Sequence, residues 1–150
     1  MPLTNGQIPR VANVPNGGVA VLTGTTIGTL GSNTNGVTGY TAGSQGGRIM
    51  SLTATTDDAT TVNVFVYIYR GTTVIPVGLV NVPLSSGNTF TARFAVDFLN
   101  GVNIPGLPID NTGRQYIPLI ANDVLRFTTL ANLSATKSCW IQVSGNDYQV

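Results

Sequence analysis

The most regular pattern in the chain is VNVFVYIYR, residues 62–70. Its even positions, Val62, Val64, Val66 and Ile68, are aliphatic, and three of its odd positions, Phe65, Tyr67 and Tyr69, are aromatic. Successive side chains of a strand point to opposite faces, so a half-buried strand needs only one apolar face. Two apolar faces need two covers. The aliphatic face is expected to look into a core. For the aromatic face the sequence leaves three occupants open: the N-terminal arm or the 99–113 loop of the same chain, a second copy of the chain, or a stacked saccharide. Aromatic residues are enriched in interface cores, and a tyrosine hydroxyl can stay hydrated at such a contact.

The same period of two recurs along the chain. RIMSLTATT (48–56) reads as a strand and DDAT (57–60) as a turn; residues 62–70 and an arm running to Val82 form a hairpin closed at Arg70-Gly71-Thr72-Thr73. Pro83 and SSGN (85–88) reverse the chain. TFTARFAVDF (89–98) then alternates, with Phe90, Ala92, Phe94 and Val96 on one face and Thr91, Arg93 and Asp97 on the other. LNGVNIPGLPIDNTG (99–113) is a Pro/Gly loop. RQYIPLI (114–120), VLRFTTL (124–130) and TKSCWIQVSG (136–145) supply further strands, the first two joined by a turn at 121–123. VAVLT (19–23) reads as a short first strand, and 24–47 as ragged edge strands or a long ordered loop. Residues 1–18, with prolines at 2, 9 and 15 and Asn-Gly pairs at 5–6 and 16–17, read as an extended arm. No segment carries the helical period. About eight short strands separated by turns predict an all-β protein: one antiparallel β-sandwich domain over 19–150, of jelly-roll type, behind an extended N-terminal arm over 1–18.

Composition narrows the chemistry. Only 9% of residues are charged, against roughly 25% in an average soluble domain. The net charge of +1 is dispersed over single Arg residues and Lys137. No basic cluster is present to neutralise a run of phosphates, so nucleic acid is not an expected partner. The chain has no His and one Cys, Cys139, which excludes the histidine-based catalytic triads, histidine metal sites and an intrachain disulfide. Catalysis by carboxylates needs two of Asp57, Asp58, Asp97, Asp110, Asp123 and Asp147 to face each other across a cleft. Asp57, Asp58, Asp110 and Asp123 sit in apparent turns, where Asp is common because it bonds the nearby backbone. GSNTNG and GSQGG lack the Lys-Ser/Thr and the helix of a phosphate loop. DNTG (110–113) lacks the spaced acidic residues of a calcium loop. No catalytic residue, metal or cofactor is expected. The N-terminus has no basic segment followed by an apolar core, and apolar runs of about six residues fall far short of a membrane helix, so no membrane partner is expected.

Four stretches, GGRIMSLTAT, VFVYIYRGTTVIPVGLVNVP, PGLPIDNTGRQYIPLIANDVLRFTT and the closing VSGNDY, occur here in an order that resembles small β-sandwich head decoration (cement) proteins of tailed bacteriophages. The resemblance spans residues 46–148. It implies a non-enzymatic virion structural protein on the outer surface of the capsid, bound to the major capsid protein and to itself, as a homotrimer. For that role the aromatic residues Phe65, Tyr67 and Tyr69, with Trp140, are the expected subunit contact. Ile8, Arg10, Val11 and Val14 of the arm are the expected capsid contact. The alternatives are a tail-fibre or spike domain that binds host glycans through Tyr40, Tyr67, Tyr69 or Trp140, and a carboxylate-dependent hydrolase.

Overall fold

β-Branched and aromatic residues at alternate positions favour a pleated, half-buried backbone, and in the computed structural model they form nine strands among the described residues. The structure describes residues 12–24, 26–29, 32, 35–87 and 95–149. The strands are β1 (Ala12–Leu22), β2 (Val37–Thr41), β3 (Gly47–Thr56), β4 (Val62–Arg70), β5 (Thr73–Val82), β6 (Val96–Asp97), β7 (Ile117–Leu119), β8 (Val124–Thr129) and β9 (Cys139–Gln149). They build two antiparallel sheets. The first runs β1-β9-β3-β6, with β7 also paired to β3, and the second runs β2-β8-β4-β5. No helix occurs among the described residues.

The sheets pack face to face as a β-sandwich. Ala20, Leu22, Leu52, Ala54, Ile141 and Val143 of the first sheet meet Val64, Val66, Ile68, Val80, Leu125 and Phe127 of the second, all in one buried cluster. Phe98 and Ile104, from the loop after β6, belong to the same cluster. The aliphatic face of β4 looks inward, as its pattern requires. At the β1/β2 edge the sheets approach so closely that a Cβ on Gly39 would lie 3.0 Å from Val143 Cγ2, and one on Gly18 would lie 2.6 Å from the Gly39 carbonyl oxygen. Beside that contact a polar clamp joins the sheets. The Tyr40 hydroxyl of β2 donates to Asp147 Oδ1 of β9 (2.7 Å), and Asn16 Nδ2 of β1 donates to Asp147 Oδ2 (2.8 Å). Burial, reinforced by the acceptor Asp147, pushes the Tyr40 hydroxyl well above the usual tyrosine range.

Three expectations need correction. The first concerns the arm. β1 begins at Ala12 and pairs with β9 along its whole length, from Ala12 opposite Gln149 to Leu22 opposite Cys139. Residues 12–18 are therefore strand, and Val14 is a β1 side chain at 37% exposure. β1 is an edge strand, so the missing N–H of Pro15 is tolerated there. Ile8, Arg10 and Val11 lie outside the described residues, as do Phe90, Thr91, Ala92, Arg93 and Phe94.

The second concerns the aromatic face. Phe65 and Tyr67 are 2% and 0% exposed in a single chain, so they are unavailable as a subunit contact. Their rings stack, with centroids 5.2 Å apart. Cross-strand from them on β8 stand Thr128 and Arg126. Among the described residues, the Gly/Thr-rich segment before β2 lies over this face. Gly28 donates to the Thr129 carbonyl (2.9 Å) and Thr129 donates to the Thr26 carbonyl (3.2 Å), which sets Gly28 against the Thr128 side chain. Gly36 lies against the Tyr67 hydroxyl, and Arg126 Nη2 donates to the Gly36 carbonyl. The third correction is smaller. Of the strand expected at 114–120 only Ile117–Leu119 pairs with β3, because residues 109–115 fold back as a short flap bridged at Ile109 and Gln115.

Two outcomes follow from this packing. Extending an N-terminal truncation from residue 11 to residue 18 deletes part of a paired strand, and it is expected to lower the melting temperature well below that of the shorter truncation in a calorimetric scan. Gly36→Ala puts a Cβ 1.8 Å from Tyr67 Oη. Such overpacking costs about 1–3 kcal/mol in urea unfolding, and the double variant with Tyr67→Phe should recover part of the loss, because the clashing oxygen is gone.

Candidate functional site

All the acids in the chain are aspartates, six in number, and the structure places every one in a hydrogen-bonded anchor. Asp58 is fully buried. It accepts the Ser134 amide and hydroxyl (2.6 and 2.8 Å) and the Thr60 amide and hydroxyl (3.0 and 3.0 Å), so it ties the β3–β4 turn to the loop before β9. Burial alone would raise its pKa, but the four donors outweigh that and hold the carboxyl at about 2. Asp57 Oδ1 accepts the Ser138 amide at 2.8 Å, with Lys137 Nζ 3.8 Å from its other oxygen. Asp123, also fully buried, takes a bidentate pair from Arg70 (2.7 and 2.7 Å) and the Ile120 amide (2.9 Å). Burial acts to raise its pKa, and the Arg70 hydrogen bonds and charge more than reverse this. Asp110 caps its own turn, accepting from the Thr112 amide and hydroxyl and from the Arg114 amide, which lowers its pKa. Asp147 is the inter-sheet clamp. Asp97 Oδ1 accepts the Leu99 amide at 2.9 Å. Cys139 is buried, and desolvation pushes its thiol up to about 12. Among the described residues no three potential metal ligands cluster, and no helix is long and apolar enough to cross a membrane.

The outer face of the first sheet is an open surface with shape. β3 carries a β-bulge between Ile49 and Ser51. On one side of the bulge β3 pairs with β7, ending at Ile49, and beyond it with β6, starting at Thr53. A cleft of about 510 Å³ opens in this gap, lined by Met50, Ser51, Thr53, Asp97, Leu99, Asn100, Gly101, Ile109, Gly113, Arg114 and Gln115. Two further depressions share its residues. One adds Pro15, Asn16, Gly17 and Ser144–Asn146, and the other adds Gly18, Val19, Gln142 and Val143. Together they form one trench across β1, β9 and β3. Both walls of the cleft are fixed by internal hydrogen bonds. Asn100 Nδ2 and Asn103 Nδ2 donate to the Asp97 carbonyl, and Asn100 Oδ1 accepts the Val102 and Asn103 amides. The opposite flap is held by the Asp110 turn and by Arg48, whose guanidinium carbon lies 5.9 Å from the centre of the Tyr116 ring.

The residues singled out from the sequence are not gathered at one place. Phe65 and Tyr67 are interior, and Tyr69, half-buried, carries the Arg126 guanidinium 5.8 Å from its ring centre on the outer side of the second sheet. Tyr40, an alternative glycan contact, is 3% exposed and bound to Asp147. Trp140 is 37% exposed on the outer face of the first sheet, in one cross-strand row with Val21 and Thr55. Of the trench residues the sequence singles out only Asp97, as one of six carboxylates, because the lining comes from five separate stretches and most of it looks like ordinary solvent-facing positions. The available signal was the run Trp140, Gln142, Ser144, Asn146, which alternates with apolar Ile141 and Val143. The chain matches no protein-family model, no curated protein and no solved structure.

The anchor geometry at Asp58 gives a pH dependence. A carboxyl held at about 2 when folded, below its ordinary 3.8, contributes stability that is complete above pH 4 and is lost as the pH falls toward 2. Asp58→Asn replaces an acceptor oxygen by a donor beneath buried N–H and O–H groups. It is expected to cost about 2–3 kcal/mol at pH 7. The difference from wild type should shrink between pH 4 and pH 2, read by urea unfolding at each pH.

Proposed function

We propose that the chain is a non-enzymatic structural protein of a tailed-phage virion, a head decoration protein that binds the outside of the capsid as a homotrimer and reinforces it. The observation that carries this reading is the use of the six aspartates as anchors. Each is held by hydrogen bonds, and the donors around Asp58, Asp110 and Asp123 lower their pKa values, whereas a general acid needs a raised pKa. With no His and a buried thiol, the remaining ionisable chemistry is also structural. A rigid, weakly charged sandwich is what a shell-stabilising protein requires, and the resemblance over residues 46–148 supplies the phage setting. The strand order supports a jelly roll: β1-β9-β3-β6 faces β2-β8-β4-β5, with the chain passing repeatedly from one sheet to the other. Jelly rolls serve in viral shells and also in lectins, so fold alone does not decide the role.

In this reading the self-contact uses apolar surface that one copy leaves open. Among the described strands β5 is one of the two edges of the second sheet, and its Leu79 is 46% exposed. Edge strands of this kind are natural sites of association unless they are blocked. Purified particles are expected to contain the protein, and the isolated protein is expected to sediment at a multiple of its 15.6 kDa chain mass. Leu79→Asp should return it to monomer without lowering its melting temperature. Absence from particles together with a wild-type monomer at micromolar concentration would overturn the reading.

A further inference from the structure

The trench on the first sheet has a chemistry specific enough to name a ligand class. We infer that it is a binding site for an uncharged oligosaccharide of about three pyranose rings, with Trp140 as its stacking platform.

The argument starts from register. Gly17, Ser144 and Ser51 stand in one cross-strand row, and Val19, Gln142, Thr53 and Asp97 in the next. The first row is small, so the face is hollow there. The second presents an amide, a hydroxyl and a carboxylate. Trp140 is two residues from Gln142 on the same face of β9, one cross-strand row beyond the residues that line the trench. From β1 to β6 there are three strand spacings, about 14 Å, which gives room for about three rings at roughly 5 Å each. The cleft volume of about 510 Å³ falls within the range of small-ligand sites.

The side chains fit a sugar better than the other linear polymers. Pyranose rings have an apolar C–H face and an equatorial rim of hydroxyls. An exposed indole suits the first, and planar amides and carboxylates, which accept and donate in pairs, suit the second. Asp97 has one oxygen fixed by the Leu99 amide, so its carboxylate is already oriented and the other oxygen is available to a hydroxyl. Gln115 and Gln142 supply both donors and acceptors. An extended peptide is recognised at a free strand edge through main-chain bonds, whereas the row Val19, Gln142, Thr53 and Asp97 presents side chains from the face of paired strands. A polyanion finds Arg114 offset by Asp97, with no lysine in the lining. The bulge and the two hydrogen-bonded walls mean that little ordering is left to be done on binding, which favours affinity.

The test uses the intact protein with three probes: maltotriose, cellotriose and N,N′,N″-triacetylchitotriose. Trp140 is the single tryptophan, so its emission reports stacking directly, with titration calorimetry in parallel. At least one probe is expected to bind saturably below about 10 mM, with a change in Trp140 emission. Gln142→Ala and Asp97→Asn should each weaken binding about tenfold, a loss of roughly 1.4 kcal/mol. Trp140→Ala, followed by calorimetry, should weaken it at least as much. Leu79→Asp, on the other sheet, should leave it unchanged. Gln142 is exposed in mid-strand, so its variant is expected to keep the wild-type melting temperature. No response to any probe at about 10 mM overturns the inference, as does binding that survives both Gln142→Ala and Trp140→Ala. Neither result bears on the particle composition that tests the decoration role.

Discussion

Strand β4 is apolar on both faces, and the sandwich is arranged to cover it twice. Its aliphatic side is met by the first sheet, as in any two-layer β protein. Its aromatic side needs a second, thinner layer. The close approach of Gly36 to the Tyr67 hydroxyl and of Gly28 to Thr128 explains why the segment before β2 is rich in glycine and small polar residues: bulkier side chains at these contacts would push it off. What reads as low-information sequence between two strands is the lid on the largest buried rings of the second sheet. Arg126 contributes to the same layer. It donates to the Gly36 carbonyl and lies over Tyr69, so a cation holds the lid at one end and an aromatic ring holds the cation.

A chain with 9% charged residues has few ions to place, and their placement is revealing. Two carboxylates are fully buried, Asp58 and Asp123, and they are satisfied differently. Asp58 is surrounded by neutral donors from Thr60 and Ser134, whereas Asp123 faces the bidentate Arg70 guanidinium. In both cases removing one partner leaves a buried charge or buried donors unmatched, which is costlier than never having had the pair. Asp58 fixes the loop before β9 and Asp123 fixes the turn before β8. These irregular connections are as constrained as the strands they join, although they bury little apolar area.

Most strands were legible because their alternation is set by burial, and burial is what holds them. β3, β4, β5 and β8 lie within a residue or two of their expected limits. β1 was not legible over 12–18, because Pro15, Gly17 and Gly18 break the pattern of a central strand, yet all three suit an edge strand passing close to Gly39. The flap at 109–115 was absorbed into a strand for the opposite reason: its hydrogen bonds come from Asp110 and local turns, which periodicity does not register. The aromatic face shows a deeper limit. Alternation says that a face is apolar, but not whose atoms cover it, so Phe65 and Tyr67 looked equally suited to a subunit contact and to the interior. Their burial within one chain decides between them.

The same limit hid the trench. A polar residue at every second position of an edge-ward strand is the ordinary signature of a solvated face. Nothing in one strand distinguishes a flat polar face from a hollow one. The hollow arises between strands, where Gly17, Ser144 and Ser51 fall into one row and where the β3 bulge separates β6 from β7. Its chemistry is therefore a property of register, and its main cleft lies on the opposite sheet from Leu79 of β5. Contacts that far apart and without shared partners are expected to contribute additively. A sandwich of this kind can use the edge of one sheet for assembly and the face of the other for a ligand, with neither function constraining the sequence of the other.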